Sequence, residues 1–168
     1  GQTWDEQTVQ APPGAKRADL NLMGLFADNR GTVFATAEHG KVLHSDDHGK
    51  NWHYLDTGYE GTLWSGAVLA DGRLLVGGQR GTLLLGSADD KRFSRVPTQG
   101  KGSVTSVAVA GAQVLAVGLD GFRVHSSNGG ESFEEAQSID GVSLTAALFK
   151  SNGTPVLFSR RGVMPYLE

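Results

Sequence analysis

The sequence predicts an all-β protein in which one small antiparallel unit is repeated four times. Glycine accounts for 24 of the 168 residues, about twice the usual ~7% share, which indicates many tight turns between short strands. Gly40, Gly81, Gly121 and Gly162 each lie between two apolar runs and are spaced 41, 40 and 41 residues apart. Long stretches with the apolar period of an α-helix are absent from the sequence.

A period of about 40 residues is the size of a four-stranded propeller blade. In the second unit the runs TLWSGAVL, RLLVGG, GTLLLGS and RFSRV are separated by short polar turns, as in a meander of hairpins. The runs LNLMGLF, RLLVGG and VTSVAVA are apolar nearly throughout, so both faces of these inner strands should be covered. The sequence therefore predicts a β-propeller with about four antiparallel blades from this chain.

The predicted blades form one domain over residues 1–168 and occupy roughly 20–56, 62–97, 103–137 and 142–168. The last unit ends after its third strand, whereas the chain opens with GQTWDEQTV, which matches GKNWHYLDT at 49–57. We therefore expect residues 3–10 to complete the last blade and to cover a free sheet edge. A piece of a larger ring, and a homodimer of two copies closing a larger ring, are alternatives that the sequence leaves open.

Composition excludes several classes of function. The net charge of −3 provides no overall basic field for nucleic acid. The chain has no cysteine, which excludes disulfides, thiolate catalysis and cysteine-based zinc sites. The uncharged stretch at residues 104–119 is interrupted by Ser106, Gly111 and Gln113 and falls short of the ~18 apolar residues of a spanning helix, so no membrane span is predicted. No nucleotide or nucleophile motif is present, and we predict no cofactor.

The stretch SDDHGKNW at 45–52, with a blurred copy SSNGGESF at 126–133, is interpreted as a turn. An Asp or Asn side chain can accept hydrogen bonds from the backbone of its own loop, and glycine supplies a positive φ. The alternative is a metal site formed by His44, Asp47 and His48. Because histidines four residues apart align on a helix and not on a strand and turn, we predict no metal site.

The first stretch matches the pattern S-x-D-x-G-x-x-W and so resembles the Asp-box, or bacterial neuraminidase repeat; the second resembles it with Asn for Asp and Phe for Trp. Asp-boxes at this spacing make the chain similar to the photosystem II stability/assembly factor family and, more distantly, to the sialidases. The resemblance implies that the boxes are structural turns between third and fourth strands, away from the functional face. Their residues are Ser45, Asp47, Gly49, Trp52, Ser126, Asn128, Gly130 and Phe133.

The two families imply different functions. The assembly-factor resemblance implies a non-enzymatic, extracytoplasmic scaffold, in the periplasm or secreted, whose partner is a protein such as a membrane-protein complex. The sialidase resemblance implies a glycoside hydrolase or a carbohydrate-binding protein. However, the sialidase motif F-R-I-P is missing, and the nearest string, FRVH at 122–125, lies inside a predicted strand. We therefore expect binding without catalysis and assign no catalytic residue.

In a propeller the loops between second and third strands, and the connections between blades, emerge opposite the Asp-box turns. Arginines on that face, together with one tyrosine, suit a carboxylate, a phosphate or an acidic protein segment as ligand. A carbohydrate is the alternative ligand. The candidate binding residues are Arg80, Arg160 and Arg161, followed by His39, Tyr59, Lys101 and Arg17.

Overall fold

A computed structural model describes residues 1–14, 20–136 and 141–164. These residues form four antiparallel sheets in which the strand order follows the chain. The strands of the first two sheets are β1 Leu22–Ala27, β2 Val33–Ala37, β3 Lys41–Ser45, β4 His53–Asp56, β5 Leu63–Val68, β6 Leu74–Gly78, β7 Leu83–Ser87 and β8 Arg92–Arg95. Those of the other two are β9 Val104–Ala110, β10 Gln113–Gly118, β11 Arg123–Ser126, β12 Glu134–Glu135, β13 Leu144–Phe149, β14 Pro155–Ser159 and β15 Gly162–Met164.

The four sheets stack side by side as blades, with the inner strands β1, β5, β9 and β13 adjacent in that order. The only helical element of the described residues is a single 3₁₀ turn over Leu119–Gly121. Every residue of β6 is buried, as are the residues of β10 after Gln113. The predicted all-β class and the four-fold repetition are therefore confirmed. The predicted covering of both faces holds for RLLVGG but is wrong for LNLMGLF, because Leu22, Met23 and Leu25 of β1 are exposed at the end of the series of blades.

One apolar side chain near the start of each later inner strand packs onto the blade before it. Leu63 is fully buried in a cluster with Phe34 and Val42 of the first blade. Val104 lies over Gly77 of the second blade, where a Cβ on the glycine would come 2.3 Å from Val104 Cγ1. The absent side chain of Gly77 is what allows the third blade to approach the second so closely.

The N-terminal segment differs from the expectation. Residues 1–13 form no strand, and the fourth sheet has three strands, β13, β14 and β15, within the described residues. Val9 packs beside Ala35 and Leu43 of the first blade, and the Tyr54 hydroxyl donates to the Gln10 carbonyl at 2.8 Å. Residues 3–10 therefore do not complete the last blade of their own chain, because the segment is held at the opposite end of the series of blades.

Among the described residues, we find no helix with the length and apolar character needed to span a membrane.

The sheets present two loop-bearing edges, one at each end of the strands. We call the edge that carries the turns 38–41, 79–82, 119–122 and 159–162 and the blade connectors 57–62 and 96–103 the connector face. The opposite edge, with the turns 45–52 and 126–133, is called the hairpin face.

Candidate functional site

The connector face is built from tight turns of one type. In the first three blades the turn between second and third strands has two consecutive residues with positive φ: His39 and Gly40 at 54° and 62°, and Arg80 and Gly81 at 54° and 67°. Asp120 and Gly121 follow with 53° and 72°. Two positive φ angles define a type I′ turn, whose twist matches that of the flanking strands. Each turn therefore displays one non-glycine side chain at its apex.

The blade connectors are held directly on these turns. Gly40 N–H donates to the Gly61 carbonyl at 2.7 Å, and Gly81 N–H donates to the Gly102 carbonyl at 3.0 Å. The Thr57 hydroxyl donates to the Gly40 carbonyl and the Thr98 hydroxyl to the Gly81 carbonyl, both at 2.8 Å. Because the same contacts recur in two blades, the connector face is a fixed platform on which exposed side chains stand at defined positions.

The predicted basic residues of this face are available to a ligand. Arg80, Lys101, Arg160 and Arg161 are all exposed, and within the described part of the chain none of them forms an ion pair. Arg80 stands at the apex of its turn, and His39 occupies the same position in the first blade. The face is not uniformly basic, because Glu60 and Asp120 are also exposed on it. Arg17 lies outside the described residues.

Tyr59 is placed differently from the arginines. Its ring packs over Gly61, where a Cβ would meet the phenol oxygen at 2.2 Å, and its hydroxyl donates to the Gln79 carbonyl at 3.4 Å. The half-buried side chain thus ties the first connector to the turn of the second blade. Beside it lies an open cleft of about 500 Å³ lined by His39, Lys41, Asp56, Gly58, Tyr59 and Glu60.

An ion pair crosses the floor of that cleft. Lys41 Nζ and Asp56 Oδ2 are 2.5 Å apart, and Gly58 N–H donates to the other Asp56 oxygen at 3.0 Å. The hydrogen bond from Lys41, followed by that from Gly58, holds the pKa of Asp56 below its usual value. Lys41 is therefore engaged within the protein, and the ionised Asp56 is a poor contact for an acidic ligand at this point.

A second cleft of about 240 Å³ lies between the connector 100–102 and the turn 120–122. Glu135, from the short outer strand β12, accepts hydrogen bonds there from Gln99 N–H at 2.5 Å and Gly100 N–H at 3.1 Å. Sequence reasoning missed Glu135, and no motif signals it, because its partners lie 36 and 35 residues away. The carboxylate fixes the second connector in the way that threonine hydroxyls fix the turns.

On the hairpin face, the residues of SDDHGKNW bond mainly to one another. Asp47 Oδ1 accepts from the Ser45 hydroxyl at 2.8 Å and from Lys50 and Asn51 N–H at 3.0 and 2.9 Å. Gly49 N–H donates to the Ser45 oxygen at 2.8 Å, and Trp52 Nε1 donates to the Gly49 carbonyl at 3.0 Å. The hydrogen bonds from Asn51, foremost among several, keep the pKa of Asp47 far below its usual value.

The turn at 126–133 reproduces this pattern with an amide. Asn128 Oδ1 accepts from the Ser126 hydroxyl at 2.8 Å and from Ser132 N–H at 3.0 Å, and Gly130 N–H donates to the Ser126 oxygen at 2.9 Å. The turn also receives a side chain from the neighbouring blade, because Arg73 donates to the Gly129 carbonyl at 3.0 Å while pairing with Asp71 at 2.6 Å. No sequence pattern predicts this link between blades.

The histidines near the first of these turns are arranged for packing. The ring of His44 lies between Phe34 and His53, with ring centroids 6.2 and 5.4 Å apart. Burial, and then the charge of His53, lower the pKa of His44. His48 is exposed at a position with φ of 64°. Within residues 1–14, 20–136 and 141–164, no three His, Asp or Glu side chains are grouped so that they could hold a metal ion.

Comparison with known proteins places the fold. No protein-family model matches the sequence, and no curated protein sequence is significantly similar to it. A solved structure of YCF48 bound to D1 peptide aligns with 95% of this chain and 51% of its own, at 17% identity and a TM-score of 0.66. The chain thus spans about half the length of that structure.

Two further solved structures have the same arrangement of sheets. The computationally designed Ika4 protein aligns over 96% of this chain and 97% of its own, at 18% identity and a TM-score of 0.65. An ancestral GH74 enzyme aligns over 84% of this chain and 22% of its own, at 20% identity and a TM-score of 0.69. At such identities the likeness establishes the fold, which is a β-propeller, and leaves function to be argued from the surface.

Proposed function

We propose that the protein is a non-enzymatic interaction scaffold that binds an acidic segment of a protein partner on its connector face. The observation that carries this proposal is the set of four exposed basic side chains, Arg80, Lys101, Arg160 and Arg161, which lack ion-pair partners within the described part of the chain. In contrast, Arg73 and Lys41 pair with carboxylates of this chain.

The basic side chains of the connector face are attached to backbone that hydrogen bonds hold in place. Arg80 projects from a type I′ turn whose glycine is hydrogen-bonded to the connector, and Arg161 N–H donates to the Ser159 hydroxyl oxygen at 3.0 Å. Guanidinium groups on a fixed backbone lose less freedom on binding and can engage a carboxylate through two parallel hydrogen bonds. A segment rich in Asp or Glu therefore fits this face better than a neutral one.

The structural neighbours support a protein partner. One of them is YCF48 bound to D1 peptide, which is a propeller in complex with a peptide. By analogy we propose an extracytoplasmic scaffold of the photosystem II assembly-factor type, with part of a membrane-protein complex as the partner. We also propose that the turns 45–52 and 126–133 are Asp-boxes with a purely structural role.

The binding proposal is tested with a fluorescein-labelled hexaglutamate peptide in a fluorescence anisotropy titration at low ionic strength. The variant Arg80→Ala/Arg161→Ala should bind roughly ten times more weakly than the wild type, from about 0.7 kcal/mol per lost charge pair. The matched control is Arg92→Ala/Arg95→Ala, which removes the same charge from the exposed outer strand β8. Equal losses in both variants would show that only the net charge matters and would refute a site on the connector face.

The alternative is a sialidase-like or carbohydrate-binding protein, consistent with the GH74 neighbour. It predicts turnover of a fluorogenic sialoside, or binding of a neutral oligosaccharide that survives high salt. Binding to acidic peptide on the connector face should instead weaken steeply as salt is added, because exposed charges are screened. The two functions are thus separated by one salt titration and one turnover assay.

A further inference from the structure

Large exposed apolar side chains are confined, among the described residues, to the two ends of the series of blades and to the N-terminal segment. Patches of this kind on a soluble domain mark an interaction surface. The first blade presents three of them on β1, the fourth blade one each on β13 and β15, and the N-terminal segment one. They are Leu22 at 51% exposure, Met23 at 45%, Leu25 at 73%, Leu148 at 45%, Val163 at 67% and Trp4 at 92%.

Two of these side chains, Leu22 and Val163, occupy positions that are buried in other blades. The strand register aligns Leu22 with Leu63, Val104 and Leu144, which are 0%, 0% and 6% exposed. It aligns Val163 with Val42 and Leu83, both 0% exposed, and with the half-buried Arg123 in the third blade. We call the side of a blade that bears the Leu22 position its leading face, and the side that bears the Val163 position its trailing face.

Within the chain, the trailing face of each blade packs against the leading face of the next. Phe26 on the first trailing face fills the space over Gly66, where a Cβ would come within 2.6 Å of the ring. In the same register the two open faces offer Leu148 and Leu25. A second copy docked in this register would therefore bring the apolar side chain of Leu148 against that of Leu25.

A hydroxyl group on the trailing face points to the same conclusion. Thr105 of the third blade contacts the Val117 carbonyl of its own blade at 3.2 Å and the Leu144 carbonyl of the next blade at 2.7 Å. Thr145 is the equivalent residue of the fourth blade and donates to the equivalent carbonyl, that of Phe158, at 3.3 Å. In a docked second copy, the Leu22 carbonyl would occupy the place beside Thr145 that the Leu144 carbonyl occupies beside Thr105.

The N-terminal segment supplies the last part. Val9 packs on Ala35 and Leu43 of the first leading face, as Leu55 of the first blade packs in one cluster with the equivalent Val76 and Leu84. Residues 1–10 therefore run where the outer strand of a preceding blade belongs. Within the described residues, the sheet of the fourth blade has three strands, with β15 at its outer edge.

We propose that two copies of this chain associate head to tail, with the leading face of each on the trailing face of the other. The two contacts close a ring of eight blades, four from each copy, with two-fold symmetry. Residues 3–10 of each copy then lie beside β15 of the partner as the outer strand of that blade. The exposed edge of β15 is covered in the same step.

The first test is the mass in solution by light scattering, at chain concentrations from about 1 to 100 μM, the range of typical moderate affinities. We expect twice the chain mass of 17.7 kDa at the upper end. Leu25→Lys and Leu148→Glu should each give a monomer, whereas Gln113→Lys, at an exposed hairpin position, should remain dimeric. A wild-type monomer throughout, or a mass that keeps growing beyond two chains, would overturn the proposal.

Mixing separates head-to-tail docking from other contacts. A Leu25→Lys chain and a Leu148→Glu chain, each monomeric alone, should form a dimer together, because one junction then pairs lysine with glutamate and the other pairs leucine with leucine. Each variant is first shown to unfold cooperatively, which excludes misfolding as the cause of a monomer. A mixture that stays monomeric contradicts the pairing of these two residues.

The strand addition has its own signal. On association, residues 3–10 come to lie beside β15 of the partner, so Trp4, which is 92% exposed in the single chain, should lose contact with solvent and its fluorescence emission should shift to shorter wavelength. The shift should disappear in Trp4→Phe and in the monomeric Leu25→Lys variant. A dimer whose emission matches that of the monomer would refute the addition of residues 3–10 to the fourth blade of the partner.

Discussion

Gly81, in a turn of the connector face, provides the sharpest test of whether the blade connector is held closely against that turn. Gly81, with φ of 67°, lies so close to the connector that a Cβ would come 1.9 Å from the Gly100 carbonyl oxygen. Gly111, with φ of 60°, has no heavy atom within 4 Å of the same point. Both positions require left-handed backbone, so replacement by alanine costs roughly 1 kcal/mol at each. Only Gly81→Ala also has to displace the connector.

The additional cost follows from the hydrogen bonds that the displacement breaks. To give the new methyl group an ordinary contact distance, the connector must move by roughly 1.5 Å. The bonds from Gly81 N–H to Gly102 and from Thr98 to the Gly81 carbonyl, now 3.0 and 2.8 Å, would then be lost. At about 0.5–1.5 kcal/mol each, Gly81→Ala should cost about 2–4 kcal/mol in all.

The assay is equilibrium unfolding in urea, in which the free energy of unfolding of each variant is compared with that of the wild type. The comparison requires that the dependence of this free energy on urea concentration is the same for all three proteins. Gly81→Ala should lower the free energy of unfolding by about 1–3 kcal/mol more than Gly111→Ala does, and should lower the Tm by about 2–4 °C for each kcal/mol. Equal losses in the two variants would mean that the close approach of connector and turn contributes nothing. The fixed-platform argument for the binding face would then fail.

Three further predictions concern the core, the hairpin face and pH. Leu63→Ala should cost about 3 kcal/mol because the side chain is fully buried and leaves a cavity, whereas Leu22→Ala in the dilute monomer should cost about 1 kcal/mol; equal urea midpoints would contradict this. Asp47→Ala should lower the Tm by more than Asp47→Asn, since an amide oxygen accepts the equivalent bonds in the third blade; the same loss in both would show that charge is required. The pKa of His44 is lowered in the folded chain, so the free energy of unfolding should fall as the pH drops below about 6.5, where the unfolded chain binds the proton more readily. In unfolding experiments between about pH 7 and 5, His44→Phe should show a smaller decline. The same decline in the variant and the wild type would contradict this.

Much of the fold could be predicted from local pattern. The apolar runs separated by turn residues define the strands, and the pairs His39-Gly40 and Arg80-Gly81 carry the type I′ turns at which one side chain is displayed. The placement of Arg80 on an exposed loop follows from that alone. These features depend on backbone conformations that neighbouring residues determine among themselves.

Other parts of the site depend on residues far apart in sequence. Glu135 fixes the connector 99–100, Arg73 reaches the turn of the next blade, and Tyr59 packs over Gly61 instead of standing free as a ligand contact. A pattern search treats each position with its neighbours, so it cannot show which distant carbonyl a side chain will meet. These contacts exist only because adjacent blades are stacked at a fixed distance.

By itself, the sequence determined the strands, the 40-residue repetition and the identity of the side chains at the turn apices, since these follow from local periodicity and from glycine's freedom to adopt positive φ. Only the tertiary structure decided where the series of blades stops packing. That depends on whether β1 and β13 meet. The solvent exposure of Leu25 and Leu148 places each on a blade face against which, among the described residues, no further blade packs. The burial of an apolar strand face is a property of what lies against it, which no strand carries in its own sequence.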